Sequence, residues 1–111
     1  MNNPMKMVLL MYLEDDEAAV DRMLEEHRVT AFSRVNLEGH GKGQPAGWYG
    51  QVAPYRSRMV FTLLPEERAA ELLEAVAKCS ECLDPRHPIH AVLLAVEDTA
   101  DSGIPSRPAS A

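Results

Sequence analysis

Five of the six glycines in this chain, Gly39, Gly41, Gly43, Gly47 and Gly50, fall within twelve residues. Glycine loses more backbone freedom on folding than any other residue and admits angles that others refuse. No helix or strand is expected across that stretch, so regular structure has to be built on either side of a long loop. The same loop holds His40, Lys42, Trp48 and Tyr49. Such a segment is either a solvated connection or a place where a ligand or partner comes close to the backbone.

Ahead of the loop, residues 5–13 form a short apolar run bounded by polar residues, which reads as a buried strand. Val20, Met23, Leu24 and His27 then recur at helical spacing and share one face. His27 reads as a core or boundary histidine there. The acidic residues 14–17 fall at the start of this helix, where the macrodipole favours negative charge. They show no metal-ligand spacing and read as a solvated helix start. Residues 29–37 alternate, with Ala31, Ser33, Val35 and Leu37 on one side and Phe32, Arg34 and Asn36 on the other, the period of a strand.

Beyond the loop, residues 58–64 read as a third strand. Pro65 takes a first helical position with Glu66 and Glu67 in the first turn. Ala69, Leu72, Leu73 and Val76 give this second helix an apolar face, and it reaches to about Cys79. A turn marked by Pro85 and Pro88 leads into residues 89–96, a nearly continuous apolar run suited to a strand with apolar contacts on both faces. The order strand, helix, strand, strand, helix, strand predicts an α+β ferredoxin-like βαββαβ sandwich, four antiparallel strands with two helices on one face. Residues 1–98 make the domain, and residues 99–111, rich in Pro, Ser and Ala, read as a disordered tail. The other face of the sheet is left for oligomerisation to cover.

At 111 residues the chain is sized for one domain. Its net charge of −6 is opposite to the basic footprint of a nucleic-acid-binding protein. The apolar start runs straight into acidic residues with no small-residue cleavage site, so no signal peptide is expected. No apolar run approaches the roughly 20 residues that cross a bilayer. A cytoplasmic protein without membrane insertion is the expectation, and in that compartment Cys79 and Cys82 are expected to be reduced or metal-bound rather than in a disulfide.

The stretch Val29-Thr30-Ala31-Phe32-Ser33-Arg34-Val35-Asn36-Leu37-Glu38-Gly39-His40-Gly41, followed by a long glycine-rich loop and an apolar strand, resembles the PII-like signalling superfamily. The sharp motif is Gly39-x-Gly41, and the resemblance covers roughly residues 5–98. It implies a homotrimer with its sheets facing inward and three clefts between subunits. Each cleft would be lined by the start of the long T-loop and by the connection between the second helix and the last strand. It implies an adenine nucleotide in those clefts, with Gly41 at the phosphates, and a loop that reports occupancy to a transporter, enzyme or regulator. Two departures stand out. The glycine-rich second phosphate loop of typical members is replaced by Cys79-Ser80-Glu81-Cys82-Leu83-Asp84-Pro85-Arg86-His87-Pro88, and the Arg-x-Arg after the last strand is missing. The chain therefore looks closer to divergent members, some of them associated with metal efflux or inorganic carbon handling.

The candidate ligand residues are Gly39, His40, Gly41, Lys42 and Gly43 at the loop, with Arg86 as a second cation for a phosphate or bicarbonate. Cys79, Cys82, His87 and His90 follow the pattern C-x2-C-x4-H-x2-H, the sulfur and nitrogen donors that Zn²⁺ or Cu ions prefer. With His40 they form a candidate metal set. Trp48, Tyr49 and Tyr55 are the aromatic candidates for a partner contact through the loop at residues 38–55. No nucleophile comes with a recognisable base, so no catalytic residue is assigned. A small α/β-barrel oxygenase built on the same fold is the rival enzyme reading.

Overall fold

The computed structural model describes residues 4–40, 55–79 and 89–103. Strand β1 (Met5–Leu13) leads through a 3-10 turn (Glu14–Asp16) into helix α1 (Glu17–Glu26). Strands β2 (Ser33–Gly39) and β3 (Tyr55–Pro65), helix α2 (Glu66–Ala77) and strand β4 (His90–Ala95) follow. The strands form one sheet in the order β2-β3-β1-β4, with every neighbouring pair antiparallel. This is the ferredoxin-like α+β architecture that the sequence predicts.

Alternation along β1 divides the sheet into two faces. Val8, Leu10 and Tyr12 are fully buried, and their register partners Thr62, Val60 and Arg58 lie on the same face. The core closes when Val20, Met23 and Leu24 of α1 and Ala69 and Leu72 of α2 pack onto that face. Each large side chain removed from water there contributes about 1.5–3 kcal/mol. The helical spacings in the sequence thus mark the buried faces, with Leu73 and Val76 packed at the margin of the core.

Helix boundaries depart from the sequence reading in two places, for identifiable reasons. Pro65 is the N-cap of α2 as well as the last residue of β3, with extended ψ of 148°, rather than the first helical residue. The N–H of Glu66 finds the Pro4 carbonyl at 2.9 Å, which satisfies one donor at the start of the helix. At the end of α1 the chain turns through Arg28 at φ 58°. There Arg28 N–H donates to the Glu25 carbonyl and Val29 N–H to the Leu24 carbonyl, the paired bonds of a Schellman cap. Val29, 5% exposed, folds into the core against the helix it has just left.

That cap corrects the start of β2, which begins at Ser33 rather than at residue 29. Residues 29–32 alternate in polarity but serve as the helix exit, and the Thr62 hydroxyl secures the segment by donating to the Ala31 carbonyl at 2.7 Å. Two guanidinium bonds from Arg68 to the carbonyls of His27 and Arg28, at 3.1 and 2.9 Å, hold the same corner to α2. His27 is half-buried at the C-cap of α1, as its place on the apolar face suggests. Of the residues read as a tail, 99–103 are irregular with a turn at Ser102 and Gly103, and 104–111 lie outside the described residues.

Candidate functional site

The long loop leaves the sheet from a defined base. Gly39, the last residue of β2, is buried and pairs with Tyr55, the first of β3, while Glu38 pairs with Arg56 and Leu37 with Ser57. Leu13, at the end of β1, is the other neighbour of Ser57. At this end of the sheet His40 is exposed and its Nε2 lies 2.6 Å from Glu38 Oε2. Both side chains are well over half exposed, so solvent screens the pair and it adds little to stability.

Behind the base, on the helix-covered face, the strands that carry the loop are locked by charge. Arg34 of β2 donates through Nε to the Tyr12 hydroxyl at 2.8 Å, and its NH2 group pairs with Asp21 of α1. The same Nε lies 3.3 Å from Glu17 Oε1. Arg58 of β3 reaches Glu17 through NH1 and Glu14 through NH2, both at 3.1 Å. Arg34 also lies 5.4 Å from the centre of the Phe32 ring. Burial holds the Tyr12 phenol above its ordinary 10.0, although the Arg34 bond and charge pull it down. Burial alone would lower Arg34, but Asp21 and Tyr12 more than offset it and its pKa is raised.

The residue spacing in the sequence reads Glu14 and Glu17 as a solvated helix start. The structure shows them instead as partners of two arginines, and Tyr12, Arg34 and Arg58 as residues that sequence reasoning passed over. The partners are 13 to 44 positions apart, so no local spacing could have signalled them. Their chemical effect is to fix the stems of β2 and β3 against α1 at the end of the sheet from which the loop departs.

The second candidate segment enters the sheet at the opposite edge. Cys79 follows α2, Ile89 is buried, and His90 opens β4 in register with Met11. Three strand spacings separate β2 from β4, roughly 14 Å across the sheet. His40 and His90 of one chain therefore stand at the same end of the sheet but at opposite edges. Among the described residues no three His, Cys, Asp or Glu side chains come together as a metal set. Lys42, Gly41, Gly43, Trp48, Tyr49, Cys82, Arg86 and His87 lie outside the described residues, and Tyr55 is described only as the backbone that opens β3. Cys79 is disulfide-bonded, which differs from the reduced cysteine expected from the compartment.

The far face of the sheet supplies what one chain leaves open. Met7, Leu9 and Met11 of β1 share it with Met59, Phe61 and Leu63 of β3, with Val92 and Leu94 of β4, and with Val35 and Leu37 of β2. Leu63 and Leu94 are 40% and 46% exposed. A contiguous apolar sheet face of this kind marks a contact surface.

A βαββαβ sandwich with one apolar sheet face uncovered is compared most directly through solved structures. The chain matches the structure of CPII, a nitrogen regulatory PII-like protein from Thiomonas intermedia K12, at TM-score 0.58. The match has 18% identity and covers 87% of this chain and 97% of that one. GlnK of B. subtilis matches at TM-score 0.59 with 13% identity, over 85% of this chain and 84% of GlnK. The chain has the PII-like fold.

It is a divergent example. A DUF3240 family protein from Shewanella baltica OS155 matches at TM-score 0.61 with 16% identity, over 91% of this chain and 98% of that one. No family model and no curated protein sequence matches the chain. At such identities the likeness establishes the PII-like architecture, and residue roles rest on this chain's own geometry. Among the described residues no helix is long and apolar enough to cross a membrane.

Proposed function

We propose that this chain is a PII-like regulatory protein that binds a small ligand between subunits of a homotrimer. Through the loop at residues 38–55 it then signals to a partner protein, a transporter, enzyme or regulator. The observation that carries the reading is the apolar sheet face lying beside the base of the glycine-rich loop. Packing that face against copies of itself brings the loop base of one subunit toward the α2–β4 connection of the next, across a gap that one chain cannot close. The cleft so formed takes its lining from Gly39, His40, Gly41, Lys42 and Gly43 on one side and Arg86 on the other. Backbone N–H groups of a glycine-rich segment, with a lysine and an arginine, suit a nucleotide phosphate or a small anion.

The structures matched include CPII bound to ADP, AMP and bicarbonate and GlnK in complex with ATP. That company supports adenine nucleotide or bicarbonate ahead of a metal. The protein acts in the cytoplasm in this reading, as a regulator without catalysis. Calorimetric titration of ADP, AMP, ATP, bicarbonate and Zn²⁺ tests it. Nucleotide or bicarbonate binding that weakens at least about tenfold in Lys42→Ala supports the cleft. Equal binding in Lys42→Ala, or no binding of any of these ligands, contradicts it.

A further inference from the structure

We propose that the Ser57 hydroxyl binds the uncharged end of the ligand, so that the site takes a nucleoside or nucleotide rather than a bare anion. This rests on the cleft reading above and names its ligand class. Ser57 is 2% exposed, and its Oγ is buried without a hydrogen-bond partner. Buried hydroxyls are nearly always bonded, so an unmet one calls for a partner from outside the fold.

Strand register places this hydroxyl at the base of the glycine-rich stretch. Ser57 lies between Leu13 of β1 and Leu37 of β2, on the sheet face turned away from the helices. Gly39 is its diagonal neighbour, about 7–8 Å away, and has no side chain to offer it a bond. Leu13 is 4% exposed and Gly39 is buried, although the residues farther along that face keep contact with solvent. Leu13 is also separate from the core that packs beneath the helices. A small buried apolar patch with one unmet hydroxyl therefore stands on the otherwise open face. Arg58, the next residue, has a buried unpartnered Nε as well, but on the helix-covered face. Its NH1 and NH2 groups are paired there with Glu17 and Glu14, so its charge is already met.

The surroundings decide what this hydroxyl can bind. It carries no charge, donates one hydrogen bond and accepts others. Its flanks are leucines, so a phosphate or bicarbonate pressed against them would give up hydration for a single donor. A heteroaromatic ring with a nitrogen or oxygen at its edge gives up far less and gains apolar contact. A hydroxyl kept from water makes its first bond with the ligand instead of exchanging one with solvent, which raises the gain. Ser57 is thus a specificity-determining contact for the ring-bearing part of a nucleoside or nucleotide.

The test titrates the full native chain and Ser57→Ala with adenosine, ADP and bicarbonate by calorimetry, and follows both chains in denaturant. Adenosine and ADP should each bind Ser57→Ala at least about fivefold more weakly, while bicarbonate binds both chains alike. The unfolding midpoint of Ser57→Ala should be unchanged or higher, because the hydroxyl has no bond within the chain to lose. A lower midpoint would show that the fold itself uses the hydroxyl, and it overturns the proposal. Unchanged adenosine and ADP affinity in Ser57→Ala overturns it too, as does a loss confined to bicarbonate. A native chain that binds bicarbonate but neither adenosine nor ADP overturns this inference and leaves the cleft reading standing. Binding of none of the three removes both.

Discussion

On β1, Val8, Leu10 and Tyr12 are inaccessible beneath the helices, whereas Met7, Leu9 and Met11 on the other side of the same strand remain in partial contact with solvent. The two faces have the same backbone and similar apolar content, yet only one is completed by this chain. The helix-covered face ends in an ionic cluster, Arg34 and Arg58 with Glu14, Glu17 and Asp21, that terminates the core at the loop end of the sheet. In register, the open face shows methionine, leucine, valine and phenylalanine across the four strands, with Ser33, Ser57 and His90 toward its margins. The difference teaches that the covered face carries the core, while the open face is the one on which the proposed association rests. Leu63 and Leu94 are the most exposed large apolar residues on that face.

Substitutions can break that contrast, beginning with the largest effect on folding. Leu10→Ala removes a fully buried side chain from the covered face and should lower unfolding free energy by about 2–5 kcal/mol in denaturant titration. Arg34→Ala strips partners from Tyr12 and Asp21 and should lower it by about 1.5–3 kcal/mol, with the fold retained. Leu63→Asp lies on the open face at 40% exposure, so the isolated subunit should change by less than about 1 kcal/mol while association is lost. An equal loss of stability in Leu63→Asp and Leu10→Ala would erase the distinction between the faces.

Two smaller effects sharpen the account of the covered face. Arg28→Gly places the residue best suited to φ 58° at the end of α1 and should stabilise the fold by about 1 kcal/mol. The pH dependence at the alkaline end follows from Tyr12, whose folded pKa is raised above 10.0. The neutral phenol is the form that the buried site favours. Its contribution is fully present below pH 10.0 and is lost as pH rises through the folded pKa. Thermal melts between pH 9 and about 11 should show this extra alkaline loss in the native chain and not in Tyr12→Phe.

Much of this fold is legible in the sequence because short-range periodicity specifies it. The apolar run at residues 5–13 is β1 to the residue, and the spacing of Val20, Met23 and Leu24 marks the buried side of α1. The misreading of β2 has a local cause: the left-handed cap at Arg28 carries no glycine to announce it, so Val29 passes for a strand residue. The ionic cluster was not legible, because Arg58 and Glu14 become neighbours only through β1–β3 pairing. Spacing alone does not distinguish a thiolate pair from a disulfide at Cys79. For the candidate site, the sequence marks Gly39 as the start of the glycine-rich stretch, and the structure adds that the described ends of the two candidate segments, Gly39 and His90, stand at opposite edges of the sheet.

The central claim, that the open face is completed by copies of the same chain, is tested most directly by molar mass in solution. Light scattering on the full chain at micromolar concentration should return three times the 12.3 kDa of one subunit, and Leu63→Asp should return a single subunit. A native chain at 12.3 kDa, or at twice that mass, would contradict the trimer and with it the intersubunit cleft.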